Sequence, residues 1–280
     1  MIELAADTLT QLVTSLAPYL NSNFVTSLAG AGAGAWAGAY AAQRIAARTL
    51  ERNELLSEIR NMATSFNLAV LICNVILGLK GQHIERLKTA YDRKKGELQE
   101  IIRRRDAGEL PADFQWEFAA DFQTLTPILT PVDKLQNLVF EKLTSKRRAI
   151  IFASMLSQTI HSLNDAFAER TRLIEEFRQS GPHSQAQLFQ FYFALPDQRG
   201  TIDDRYGTIL TAIHRYADDC IYFSKSIADD LSASGKTLER LFEKKFRSKA
   251  PSVGVMKIEK EEYLNLFPDA REYSSWDGLA

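Results

Sequence analysis

Cysteine is nearly absent: Cys73 and Cys220 are the only two in 280 residues, and neither belongs to a CxxC pair. That removes the basis for a disulfide framework or a thiolate metal site, and two isolated thiols read as buried residues of a reducing compartment. Histidine is scarce as well. His83, His161, His183 and His214 form no HxxxH or HExxH pair and no Cys/His combination, so no metal is expected. Excess charge of either sign is missing, with 34 Lys and Arg against 35 Asp and Glu. A whole-molecule field for nucleic acid is therefore not indicated, and any basic surface must be local. A basic leader is lacking too: Glu3 and Asp7 precede the first apolar run, so a cleaved secretory signal is not expected.

Recognisable chemistry is also missing. Ser234-Gly235-Lys236-Thr237 carries the end of a phosphate-binding loop, but Asp230 stands where its first glycine belongs and a helical pattern precedes it. Gly235 reads instead as a turn between helices. Gly30-Ala31-Gly32-Ala33-Gly34-Ala35 satisfies GxGxxA, the loosest dinucleotide fingerprint, yet no strand or βαβ unit surrounds it. The doublets Asp203-Asp204, Asp218-Asp219 and Asp229-Asp230 point about 100° apart on a helix and read as solvated faces. No serine or cysteine has a nucleophile setting. The expectation is a non-enzyme: no catalytic residue and no cofactor.

The most informative absence is charge between Asp7 and Arg44. Leu9, Leu12, Val13, Leu16 and Leu20 recur at three and four residues, which predicts an amphipathic helix over 1–23. The next portion, 24–47, is long enough at about 1.5 Å per residue to cross a hydrocarbon layer of about 30 Å. Within it Gly30, Gly34 and Gly38 stand four apart, and Thr26 and Ala42 extend the row with small residues. Such a row is a groove along which another helix can approach closely, as membrane helices require when lipid supplies no hydrophobic drive. Phe24, Leu28, Trp36 and Tyr40 make a bulky face suited to lipid or its interface.

Gly and Ala give little insertion energy, so the competing reading is a buried helix of a soluble bundle or oligomer. If the helix spans, the juxtamembrane Arg44, Arg48 and Arg52 follow it, and the positive-inside rule puts the C-terminal body in the cytoplasm. The localisation expected is a bacterial inner membrane crossed once.

Proline is absent from 45–106 and from 132–178, which leaves both free to be helical. The first should divide near Gly78 to Gly81. A second charge-free stretch, 61–79, is a possible second span, but Asn67 and Asn74 would be costly in lipid and favour a soluble core helix. Residues 48–249 are expected to form a cytoplasmic helical domain with linkers near 108–131 and 179–205, followed by a tail, 250–280, with an extended piece at 253–258. The fold class is all-α: an amphipathic helix, one Gly/Ala-rich transmembrane helix and a helical bundle.

Three local basic groups could contact phosphates of a nucleotide or nucleic acid. They are Arg103, Arg104 and Arg105; Lys146, Arg147 and Arg148; and Lys244, Lys245, Arg247 and Lys249. Cations near helix ends explain them equally well.

Gly30, Gly34 and Gly38 in a weak span, Arg44 and Arg48 directly after it, and a charged helical body without catalytic motifs make a layout. It resembles the membrane effectors of bacterial anti-phage defence systems, the channel-forming effectors of Hailong-type systems most of all. The resemblance implies a homo-oligomer whose spanning helices line a pore and whose cytoplasmic part is held shut by a nucleotide-derived ligand. No ligand residue matches by position. The partners expected are copies of the chain, a lipid bilayer and that anionic ligand. A membrane-anchored scaffold without conductance and a soluble helical regulator assembled through its apolar N-terminus remain the alternatives.

Overall fold

The computed structural model describes residues 14–15, 23–111, 113–144, 147–181, 183–256 and 261–279. Most of the helix expected at 1–23, Lys146, and 257–258 of the extended piece lie outside them. All regular structure among the described residues is helical. Helix α1 runs Asn23–Leu79, a π-helical turn Lys80–Ile84 joins it to α2, Glu85–Asp106, and α3 follows at Val132–Glu141. Then come α4, Arg147–Gln179, α5, Gln185–Phe193, and α6, Arg205–Phe246. A short α7, Glu261–Leu264, and a 3-10 segment, Ala270–Leu279, complete the chain. Two compact units divide between Leu56 and Ser57, inside α1.

In the first unit, every residue from 27 to 54 is exposed. The second unit is organised on α6. Its neighbours pair with it in one register: Lys80 meets Asp218, Glu85 meets His214, and Tyr91 lies against Gly207 and Tyr206. Rising numbers on one side meet falling numbers on the other, so the α1–α2 run is antiparallel to α6. Helix α4 is antiparallel to it as well, since Arg148 meets Asp230 and Arg170 meets Tyr206. Helix α6 thus buries two faces, through Leu210, Ile213, Ala217, Cys220, Ile221, Ile227 and Leu231, whose spacing of three and four is that of a packed helix.

The stretch 61–79 is the part of α1 that this core encloses. Met62, Ser65, Phe66, Ala69, Ile72, Cys73, Ile76 and Leu77 are buried, and Asn67 and Asn74 face outward. The division expected near Gly78 to Gly81 is there, α1 ending at Leu79, but the chain passes it as a helix. The π turn absorbs the change of phase there: the Glu85 N–H reaches back five residues to the Lys80 carbonyl, and one turn turns both Lys80 and Ile84 inward. Gly81 is what lets the C-terminal segment in. A Cβ on it would stand 2.9 Å from Leu266 Cδ1.

Two sequence expectations are corrected. Gly235 is no turn; it lies inside α6, where a Cβ would stand 2.6 Å from that of Val253. Glycine is there so that residues 251–256 can cross the helix, tied by Ser232 Oγ donating to the Gly254 carbonyl at 2.8 Å. The acidic doublets are not all solvated. Asp218 binds Lys80, Asp219 accepts from Tyr273, and Asp230 takes both arms of the Arg148 guanidinium at 2.9 and 3.0 Å.

Residues 113–131 form an extended strap laid over α4 and α6. Arg170 is buried and donates to the carbonyls of Asp121 and Gln123 and to the Tyr206 hydroxyl, and Tyr206 in turn donates to Asp121. Asn164 closes two bonds with the backbone of Ile128, at 2.8 and 3.1 Å. These side chains satisfy an extended backbone that has no neighbouring strand. The strap delivers Trp116, Phe118 and Phe122 into an aromatic cluster with Phe189, Tyr192, Phe193 and Tyr206. The aromatic run at 189–193, expected within a linker, is therefore the helical side of that cluster. A capping box built by Ser184 and Gln187 starts α5 there.

Candidate functional site

The first candidate is the glycine row. Gly30, Gly34 and Gly38 lie on α1 four residues apart, Ala42 continues the row, and the backbone of Phe24 and Thr26 belongs to the same helix. A Cβ built on Gly30, Gly32, Gly34 or Gly38 meets nothing within 4 Å. Among the described residues nothing fills the groove. On the bulky face Leu28 is 63% and Trp36 72% exposed, and the rings of Trp36 and Tyr40 stack with centroids 5.7 Å apart. Arg44, Arg48 and Arg52 follow on the same helix, also exposed.

Among the described residues one helix is long and apolar enough to cross a membrane by length and composition. Its most apolar stretch is 62–79, part of the buried core described above, rather than the Gly/Ala row. That difference follows from composition: glycine and alanine add length and closeness of approach but little hydrophobicity.

The basic groups are spread out. Arg103 pairs with Glu100 at 2.7 Å, Arg104 lies 3.5 Å from Glu109, and Arg105 donates to the Phe114 carbonyl. This group ends α2, near the start of α6, because Leu98 packs with Tyr206 and Leu210. Arg148 is spent on Asp230, with its guanidinium 5.4 Å from the Phe152 ring, and Arg147 is exposed at the start of α4. Lys244 and Lys245 lie in the last turn of α6, Arg247 caps it in the left-handed conformation, and Lys249 follows. Along α6, Asp230 and Lys244 are about 21 Å apart at 1.5 Å per residue. The three groups thus mark three levels of the unit and form no common surface.

Sequence reasoning missed the polar cluster at the π turn. Lys80, only 4% exposed, sits 2.5 Å from Asp218 Oδ1 and donates to the Leu266 carbonyl at 2.9 Å. His214 Nδ1 lies 3.2 Å from Asp218 Oδ2, and Nε2 lies 3.0 Å from Glu85 Oε2. Hydrogen bonding to Asp218 raises the His214 pKa above its ordinary 6.5. Burial acts to raise Asp218, but the bonds from His214 and Lys80 outweigh it and hold the carboxyl below its ordinary range. Asp219, next in line, goes the other way, raised by burial despite the Tyr273 hydroxyl. The signal available beforehand was the spacing of His214 and Asp218 at i, i+4; their partners, more than 100 residues away, had none.

A cleft of about 790 Å³ opens beside the strap, walled by Phe118, Phe122, Phe177 and His183 with Lys94 at its rim. Its lining also holds the Glu117 carboxylate, and Lys94 lies 3.5 Å from Glu97, so the cleft offers an anion no uncompensated positive charge. Cys73 and Cys220 are both free and buried, and burial pushes the Cys73 thiol up to about 11. Neither is poised as a nucleophile. Among the described residues no three His, Cys, Asp or Glu side chains are grouped to hold a metal ion. In comparisons with protein-family models, curated proteins and solved structures, nothing matches this chain.

Proposed function

We propose that the chain is the subunit of a membrane-embedded homo-oligomer. The Gly30, Gly34 and Gly38 face of α1 packs neighbouring spans together, and the helical unit beyond it opens or closes an ion path. The observation that carries this reading is the exposure of every residue from 27 to 54. Four glycines in that stretch each cost a helix about 1 kcal/mol relative to alanine, and an unpacked helix of this kind in water is marginal. It needs a cover, and the empty groove fits a second helix better than it fits solvent.

Lipid completes the cover. From Asn23 to Gln43 the helix carries no charge, about 31 Å at 1.5 Å per residue and enough for a bilayer core. Trp36 and Tyr40 fall in its last two turns, at the level where aromatic residues favour the interface, and Arg44, Arg48 and Arg52 lie beyond them on the cytoplasmic side. In a bacterial inner membrane such an oligomer would act as an anti-phage effector by dissipating ion gradients.

Gly34→Leu tests the proposal cleanly. No described residue lies within 4 Å of that position, so the variant should fold and insert, yet lose its oligomer and the ion leakage of cells that overproduce it. Unchanged oligomer size together with unchanged leakage would overturn the reading. A wild-type chain that forms the oligomer but causes no leakage when overproduced would instead be the membrane-anchored scaffold. A soluble assembly through α1 is the second reading, favoured by the greater apolarity of the buried 62–79. It requires the full chain to stay in solution without detergent.

A further inference from the structure

The polar cluster at the π turn is an alternating row of charges: Glu85, His214, Asp218, Lys80. It joins α2, α6 and the π turn, and it runs from the buried Lys80 out to Glu85, whose side chain is 44% exposed. His214 stands between two carboxylates, with a different ring nitrogen within hydrogen-bond distance of each. A neutral imidazole carries one N–H; it can donate to one carboxylate and must turn a lone pair toward the other. The imidazolium carries two and serves both.

The charge count agrees. With His214 protonated, two cations and two carboxylates cancel; with it neutral, a net negative charge remains beside Lys80, which is buried and already committed to Asp218 and the Leu266 carbonyl. The groups facing His214 are Glu85 from α2, Lys80 from the π turn and Asp218 from its own helix. One step further out lie Asp219 and Arg215 on α6, with Glu272 and Tyr273 of the C-terminal segment beside Asp219. Asp219 is already bound by the Tyr273 hydroxyl at 2.7 Å, so Asp218 and Glu85 are the carboxylates that the imidazole ties.

We propose that His214 is a proton-controlled clasp: its imidazolium ties α2 to α6, and its deprotonation releases the first turns of α2 at the π turn. A π turn is a suitable hinge for this, because it can return to regular α-helix by shifting one residue's hydrogen bond. The sign follows from the contacts. They favour the charged ring, so the folded protein holds its proton above the ordinary pKa of 6.5. The tie is complete below that value and is lost as pH rises through the higher, folded value.

The test is hydrogen exchange of 84–91 in the full chain, held in detergent micelles, from pH 5.5 to 8.5. Rates are corrected for intrinsic exchange and referred to 159–167 of α4. Wild type should lose protection of 84–91 across the upper part of that range, by about tenfold for each pH unit separating the folded and free titrations. His214→Gln should show no such pH dependence and remain at the released level. Glu85→Gln removes one carboxylate without touching the ring; it should move the transition to lower pH, and it serves if the His214 variant does not fold. Equal pH profiles in wild type and His214→Gln would overturn the proposal, as would a Glu85→Gln transition that does not move.

Discussion

Arg170 is the largest side chain fully enclosed in the fold, and its work is to hold backbone. Its donors go to the carbonyls of Asp121 and Gln123 and to Tyr206, in the middle of the strap that carries the aromatic rings into place. Arg170→Met would take the part-buried Gln123 carbonyl's donor and leave the Asp121 carbonyl with the Tyr206 hydroxyl alone, at up to about 1–3 kcal/mol each. A fall of roughly 5–15 °C in the thermal midpoint is expected; an unchanged midpoint would mean that the strap is held by its rings alone. Gly235→Ala tests the other crossing point. An alanine has better helix propensity by about 1 kcal/mol, but its Cβ would stand 2.6 Å from that of Val253, and overpacking costs about 1–3 kcal/mol. Net destabilisation in a denaturant titration is the expected result, whereas stabilisation would show that residues 251–256 lift off α6 freely.

Among the elements, α1 is legible in part. The charge-free row of Gly30, Gly34 and Gly38 and the proline-free run after it foretell a long helix, because helices are limited mainly by what interrupts them. The division expected near Gly78 to Gly81 falls where α1 ends at Leu79, and a π turn rather than a break makes it. The reason is tertiary. Lys80 is drawn inward by Asp218 and Leu266, partners 138 and 186 residues away, and no local pattern encodes such distances. Gly235 was misread for the same reason, since its partner Val253 belongs to another segment. The strap was recognisable as a connector from Pro127 and Pro131, but not its attachment to Arg170. The basic groups at 103–105 and 244–249 lie where cations meet helix C-termini, and the local sequence already allowed for that.

At the scale of the molecule, the second unit supplies its own cover, whereas no described residue covers 27–54 of the first. Around α6 the apolar faces of α1, α2 and α4 are enclosed, down to thiols and a lysine, whereas Leu28, Trp36, Tyr40, Ile45 and Leu50 of α1 are all exposed. One physical demand therefore separates them: the Gly/Ala helix must be covered by lipid, by copies of itself, or by both. Membrane fractionation with a carbonate wash puts that demand to the test, comparing the full chain with one that starts at Arg48. The membrane reading predicts that the full chain stays in the washed pellet while the shorter chain moves to the supernatant. Recovery of both in the supernatant would contradict it and leave the glycine face as the interface of a soluble assembly.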